Sequence, residues 1–391
     1  MRILRSMLIT FIVVSFSNAQ ETGDRSVPLV VRESESEIEA TNISEPTASE
    51  IAASSGNQRS LAALAAVKEG NDLWRAREIE QSSLSYQRAI NLDPSLYSAQ
   101  FNLGITLLHR KDHQRAAFAF TEALRLRPAS LSAWQSLGFA YYYGKRYQKA
   151  VEAFGEAQRL APQKAVTNNN VGFAFLFVGR FEDAIAAFQT ALELDSGFGP
   201  AINGLCASQA LAQKATASAV EACVRAANND PDSAAPRYFL GIAYMDLGQP
   251  EKALSALKEA ARIEPRTPRI HVGLGFASFK LKKYQAALKH FEYARKLNVK
   301  AKHALSGLGV TYAQLQDYET AETILRQAVS LDPDDPVAHF NLGIVCLARR
   351  DRDCALSQYN RLKMINDSFA KTLFSKIFRH RVVDASRYKK L

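Results

Sequence analysis

The stretch Trp134–Pro162, WQSLGFAYYYGKRYQKAVEAFGEAQRLAP, reads as two helices joined by a short polar turn. Ala150, Phe154 and Ala157 follow one another at steps of four and three, which places them on one helical face. Leu137-Gly138 and Tyr141 lie on an earlier helix, and Pro162 stops the second, because proline lacks the N–H that a helix interior needs. Small Gly138 and Ala150 let the two backbones approach, while Phe154 fills the space toward whatever packs next.

Outward from this stretch the pattern recurs. Gly70, Gly104, Gly138 and Gly172, and then Gly241, Gly275, Gly309 and Gly343, are spaced by 34 residues within each group. The gap of 69 between Gly172 and Gly241 holds one degenerate unit with a single inserted residue, so about nine units result. In step with the glycines run small residues (Ala116, Ala184, Ala253, Ala287), large ones (Tyr86, Phe120, Phe188, Leu257, Phe291, Leu325) and terminating prolines (Pro94, Pro128, Pro231, Pro265, Pro333). One helix pair cannot bury such a face, whereas a stack of pairs makes a continuous core. The expected fold is all-α, a solenoid of antiparallel helix pairs over residues 61–369.

The period and the pattern Trp134, Leu137-Gly138, Tyr141, Ala150, Phe154, Ala157, Pro162 closely resemble the tetratricopeptide repeat family. The resemblance implies a right-handed superhelix whose first helices line a concave groove for peptides or partner helices. Carried over to this sequence, the lining positions include Phe101, Asn102, Phe139, Tyr142, Tyr143, Asn169, Asn170, Phe173, Phe177 and Phe239. Aromatic anchors and asparagine amides together suit an extended peptide, the amides bonding its backbone. Only Lys68, Arg75, Arg269 and Lys280 are basic among the groove positions, so a clamp for chaperone C-terminal carboxylates is not expected.

Both ends differ from this core. Arg2 and Arg5, the apolar run Met7 to Phe16 and Ser17-Asn18-Ala19 form a signal-peptide pattern, residues 1–19, with cleavage expected after Ala19. Residues 20–60 carry a net charge of −5 and few periodic apolar positions, which reads as an acidic disordered linker. Residues 370–391 carry a net charge of +6, with Leu373, Ile377 and Phe378 at helical spacing, which suits a basic capping helix and tail. The whole chain of 391 residues, 47% hydrophobic with a formal charge of +10, excludes a mainly disordered protein, and no apolar run is long enough for a polytopic membrane protein.

Catalytic signatures are missing or misplaced. No phosphate loop, nucleophile elbow or H-E-x-x-H occurs, and Gly273-x-Gly275 and Gly307-x-Gly309 fall inside first helices and not after strands. His109 and His113 flank a turn and do not share a helix face, so no metal is expected, nor any other cofactor. The chain is therefore expected to be a non-catalytic scaffold for a protein or peptide partner. Nucleic acid is not expected for an exported protein; the alternative is an anionic lipid or polysaccharide held by the basic C-terminal end.

Four cysteines allow three pairings. The repeat register favours Cys206 with Cys223 and Cys346 with Cys354, each within one unit, against the alternative of buried free thiols. The targeting pattern predicts that protein recovered from outside the cell or from a periplasm starts at Gln20. Intact mass tests this: a recovered chain that retains Met1 to Ala19 contradicts it.

Overall fold

The computed structural model describes residues 43–54, 57–212, 216–298 and 302–385. Among them the regular elements are all α-helices: α1 (Ala48–Ser54), α2 (Gln58–Arg75), α3 (Ile79–Leu92), α4 (Tyr97–His109), α5 (His113–Leu126), α6 (Leu131–Tyr143), α7 (Tyr147–Leu160), α8 (Ala165–Val178), α9 (Phe181–Leu194) and α10 (Gly199–Leu211). They continue as α11 (Ala217–Asn229), α12 (Ala234–Asp246), α13 (Pro250–Ile263), α14 (Pro268–Lys280), α15 (Tyr284–Leu297), α16 (Lys302–Gln314), α17 (Tyr318–Leu331), α18 (Pro336–Ala348), α19 (Arg352–Ile365) and α20 (Asp367–Ala385). Two compact units divide between Ser208 and Gln209, within the repeat whose sequence departs most from the others. The first unit pairs α2 with α3, α4 with α5, α6 with α7 and α8 with α9; the second pairs α12 with α13, α14 with α15, α16 with α17 and α18 with α19.

All but the last of these pairs close on one contact. A Cβ placed on Gly104 would lie 2.5 Å from the Phe120 ring, and the same holds for Gly70 against Tyr86, Gly138 against Phe154, Gly275 against Phe291 and Gly309 against Leu325. The next repeat clasps the same large side chain from its other side: Gly204 faces Phe188, Gly273 faces Leu257 and Gly307 faces Phe291. The Gly-x-Gly pairs thus receive two successive large residues, Gly273 taking Leu257 and Gly275 taking Phe291. Phe120, Phe188, Phe291 and Leu257 are all fully buried in these sockets.

The turn inside each pair also repeats. Arg77, Lys111, Lys145, Gly179, Gly248, Lys282, Gln316 and Arg350 all have positive φ, at matching repeat positions. Asp112, Asp317 and Asp351 each cap the second helix that follows by accepting from a backbone N–H of its first turn. Pro250, Pro268 and Pro336 occupy first helical positions, where the missing N–H costs nothing. At the C-terminal end Leu373 of α20 fills the socket at Gly343 and is fully buried, so α20 packs on the last pair.

Part of the stretch expected to be a disordered linker is ordered. Residues 43–54 pack on the first unit, with α1 inside them, and α2 begins at Gln58. Thr47 and Glu50 form a capping box that starts α1: the Thr47 N–H donates to Glu50 Oε2 at 2.8 Å and the Glu50 N–H donates to Thr47 Oγ1 at 3.4 Å. Low hydrophobicity misleads here because the segment is held mainly by polar contacts. The expected signal peptide, the expected linker up to residue 42, and the side chains of Arg379, Arg381, Arg387, Lys389 and Lys390 lie outside the described residues.

Cys346 on α18 and Cys354 on α19 are joined in a disulfide with Cα atoms 5.8 Å apart. None of the four cysteines is free.

The sockets predict opposite effects for two glycine substitutions. Gly104→Ala drives a methyl into the immobile Phe120 ring and should cost about 1–3 kcal/mol. Gly155→Ala on α7, where a Cβ meets nothing within 4 Å, should instead gain up to about 1 kcal/mol. Thermal unfolding of the two variants checks both signs.

Candidate functional site

The polar centre of the first unit is a pair of buried asparagines. Asn71 on α2 and Asn102 on α4 are fully buried, and they are linked by a hydrogen bond from Asn102 Nδ2 to Asn71 Oδ1 at 2.9 Å. The Tyr86 hydroxyl donates to the same Asn71 oxygen at 2.8 Å, so the large residue of the first repeat also orients this amide. Burial pushes the Tyr86 hydroxyl up to about 12, which keeps it a donor.

Onto this pair lies the chain's own segment 43–54. Asn102 Oδ1 accepts from the Ser44 backbone N–H at 2.7 Å, and Asn102 Nδ2 donates to the Ser44 carbonyl at 2.9 Å. One side-chain amide thus reads both main-chain groups of one residue, a contact open to any extended peptide. Ile43 packs on the apolar cluster of the first repeats. Glu45 Oε2 accepts from Asn71 Nδ2 at 3.0 Å, and Arg75 pairs with its other oxygen.

Glu50 is the deeper anchor. Its Oε1 accepts from the Ser98 N–H at 3.0 Å and from Ser98 Oγ at 3.1 Å, and its Oε2 lies 2.9 Å from Arg127 Nη2. Ser98 stands in the first turn of α4, where unbonded backbone N–H groups favour an anion. Arg127 lies 4.3 Å above the Tyr97 ring and also donates to Thr47 Oγ1 at 2.7 Å, while the Tyr97 and Ser130 hydroxyls share a 2.7 Å hydrogen bond. Glu50 is 8% exposed, whereas both partners of the Glu45–Arg75 pair are more than half exposed. Solvent screening makes the outer pair weak, so the inner carboxylate carries most of the hold. Burial raises the Glu50 carboxyl, but the hydrogen bonds from Ser98 and Thr47 and the Arg127 charge outweigh it and hold it below the ordinary glutamate range.

The residues expected to line an aromatic groove are distributed differently. Asn102 is at the centre of the site. Phe101, Tyr142, Phe173, Phe177 and Phe239 are buried. Phe101 packs on Phe120 with ring centres 5.7 Å apart, Phe173 on Phe188 at 5.0 Å, and Phe177 on Tyr142 at 4.9 Å. These five pack as core side chains. A first helix is enclosed by its own second helix and by the next repeat, so its large rings gain most by turning between helices. Phe139, which packs on Phe154, and Tyr143, which stacks on His113, keep partial exposure. His109 meets Trp74 instead, so the two histidines of that turn face different rings.

Asn169 and Asn170 are buried on α8, and Asn169 Nδ2 donates to Asn170 Oδ1 at 3.3 Å. Among the described residues Asn169 Oδ1, and Oδ1 of buried Asn203 on α10, find no hydrogen-bond partner. In the second unit Asn341 Nδ2 is likewise unpaired. Asn102, Asn170 and Asn341 each stand two residues before a repeat glycine. Asn71, Ser98 and Arg127 were not singled out by the groove positions. The Thr47-x-x-Glu50 signature in the acidic stretch was the readable signal that this stretch orders.

Among the described residues one cluster, Glu322 with Cys346 and Cys354, brings metal-binding atoms within 4.8 Å of one another. Its sulfurs are bonded to each other, and Glu322 is paired with Arg326 at 2.8 Å and Arg349 at 2.6 Å. Without thiolates, and beside two guanidinium groups, these residues do not fit a cation.

A stack of helix pairs with a polar seat on its first helices defines a solenoid of the interaction-repeat class. The family model described as the Cilia and flagella-associated protein 70 C-terminal domain matches residues 168–367, just over half of the chain, and two tetratricopeptide repeat models match 67–130 and 132–164. The chain belongs to the tetratricopeptide repeat family. A chain in the crystal structure of the APC/C hetero-tetramer Cut9-Hcn1 is similar in fold, with a TM-score of 0.54 and 23% identity over 76% of this chain and 62% of that one. The protein thus spans under two thirds of that chain's length. No curated protein matches it in sequence.

The state of Glu50 predicts how the seat responds to acid. Its pKa is depressed when the segment is docked, so its contribution is complete above the ordinary glutamate range and is lost as pH falls through the lowered value. Amide hydrogen exchange of residues 43–54, corrected for the intrinsic rate, should show protection near neutral pH that is lost only as pH falls below the ordinary glutamate range. In Glu50→Gln, protection should be weak throughout and should lose this dependence.

Proposed function

We propose that this protein is an exported, non-catalytic interaction scaffold that holds a peptide or partner helix against the first helices of its repeats. The observation that carries the reading is the two-point contact of Asn102 with the Ser44 main chain, since it is made to backbone groups that every peptide has. The unpaired Asn169 and Asn203 oxygens support a longer path of the same kind along the first unit. A buried amide oxygen without a partner costs about 1–3 kcal/mol, which an incoming backbone N–H would recover. Export is supported by the N-terminal pattern and fits cysteines that are all paired.

Replacing both Asn169 and Asn170 by Ala separates ligand binding from folding. Removing poorly satisfied buried amides should leave thermal stability unchanged or slightly higher. Partner retention, measured with the mature protein under non-reducing conditions, should fall roughly ten-fold to a hundred-fold if two backbone hydrogen bonds are lost. A stable variant that retains its partner unchanged contradicts the groove reading.

A further inference from the structure

In the seat formed by Asn71, Arg75, Ser98, Asn102 and Arg127, the asparagines and Arg127 are oriented by contacts within the repeats as well as by residues 43–54. Asn71 is oriented by Tyr86 and Asn102, and Arg127 by Tyr97, which is itself bonded to Ser130; all these contacts lie within the repeats. Only the hydrogen bonds that face outward are made by residues 43–54. A receptor whose groups are held in part by its own frame loses less order on binding, and such preorganisation marks a ligand site more than a strut of the fold.

The occupant itself is weakly held by apolar surface. Ile43 packs on the core, but Ile51 is 53% exposed, and only Glu50 and Ser54 of the segment are buried. A helix of seven residues does not persist alone in water. What holds the segment is one main-chain clamp, two carboxylates and the closeness of its tether to α2. A tether of this length raises local concentration to the millimolar range, so even a weak ligand fills the seat.

We propose that residues 43–54 are a tethered competitor, and that the seat takes an acidic peptide from a protein partner in the same pose. The proposal rests on the groove reading above and names its ligand class. The seat selects an apolar residue, a glutamate two positions later to meet Asn71 and Arg75, and a Thr-x-x-Glu turn whose glutamate, seven positions after the apolar residue, reaches Ser98 and Arg127. The residue between the apolar position and the first glutamate is read through its main chain alone. A partner peptide enters only when the chain's own segment leaves, so the protein sets a threshold of ligand strength or concentration.

The test uses the full mature chain and a fluorescent synthetic peptide of residues 41–54. Two variants release the tethered segment: Glu45→Lys with Glu50→Lys, and, independently, Ser44→Pro, which removes the N–H held by Asn102. Both should bind the peptide at least about ten-fold more tightly than the wild type, because the internal competitor is gone. Adding Asn102→Ala or Arg127→Glu to either should abolish binding with circular dichroism unchanged, and a peptide with both glutamates changed to lysine should not bind.

Equal binding by wild type and released variants overturns the proposal, as does a folded released variant that ignores the peptide. A wild-type dimer that falls to monomer in the released variants assigns the seat to a second copy and overturns it too. If a released variant ignores the peptide yet retains a partner through Asn169 and Asn170, the competitor is refuted while the groove reading stands.

Discussion

The contact on which the rest depends is a large side chain held between two glycines. Phe291 meets Gly275 of its own repeat and Gly307 of the next, and Leu257 meets Gly241 and Gly273 in the same way. Each socket joins the two helices of a pair and also one pair to its successor, so intra-repeat and inter-repeat packing are one interaction. A methyl in the socket would collide with an atom that has nowhere to move, because interiors are close-packed. Stability in such a stack is a sum over neighbours, and a repeat with a poorer socket is where the stack divides. The division between Ser208 and Gln209 falls in the repeat that has Cys206 in place of the glycine, two residues after the Gly204 that faces Phe188.

Socket packing also determines what is left for function. Once the rings of the first helices turn inward, the positions facing outward are the small and polar ones, and Asn102 is the clearest case. It stands two residues before Gly104, so its helix has been drawn close to Tyr86 and Asn71 of the repeat before. The same approach that buries the apolar residues thus aligns amides from successive first helices. A row of amides reads main chain, and charge at its flanks reads side chains. Here the flanking charges are Arg75 and Arg127, and the segment that meets them is acidic.

How much of this was legible in the sequence differs between the frame and the site. Glycine spacing, the helical steps to Ala150, Phe154 and Ala157, and the terminating prolines all express relations within one repeat or between neighbours. Such relations recur, and recurrence is visible. Asn102 was legible for the same reason, as one position of a repeating helix. The aromatic positions were placed on the right helices, but Phe101, Phe173 and Phe177 face the core. A helical position alone does not say which way a ring turns between two surfaces that are both apolar.

The sequence by itself determined the all-helical stack of helix pairs, because this follows from local periodicity and the need to bury one face of every helix pair. Only the tertiary structure decided that residues 43–54 lie on the repeats. Ser44 and Asn102 are 58 residues apart, and Glu50 and Arg127 are 77 apart. Nothing periodic connects such pairs, and a segment poor in apolar residues looks disordered until the charges and amides that receive it have been assembled by folding.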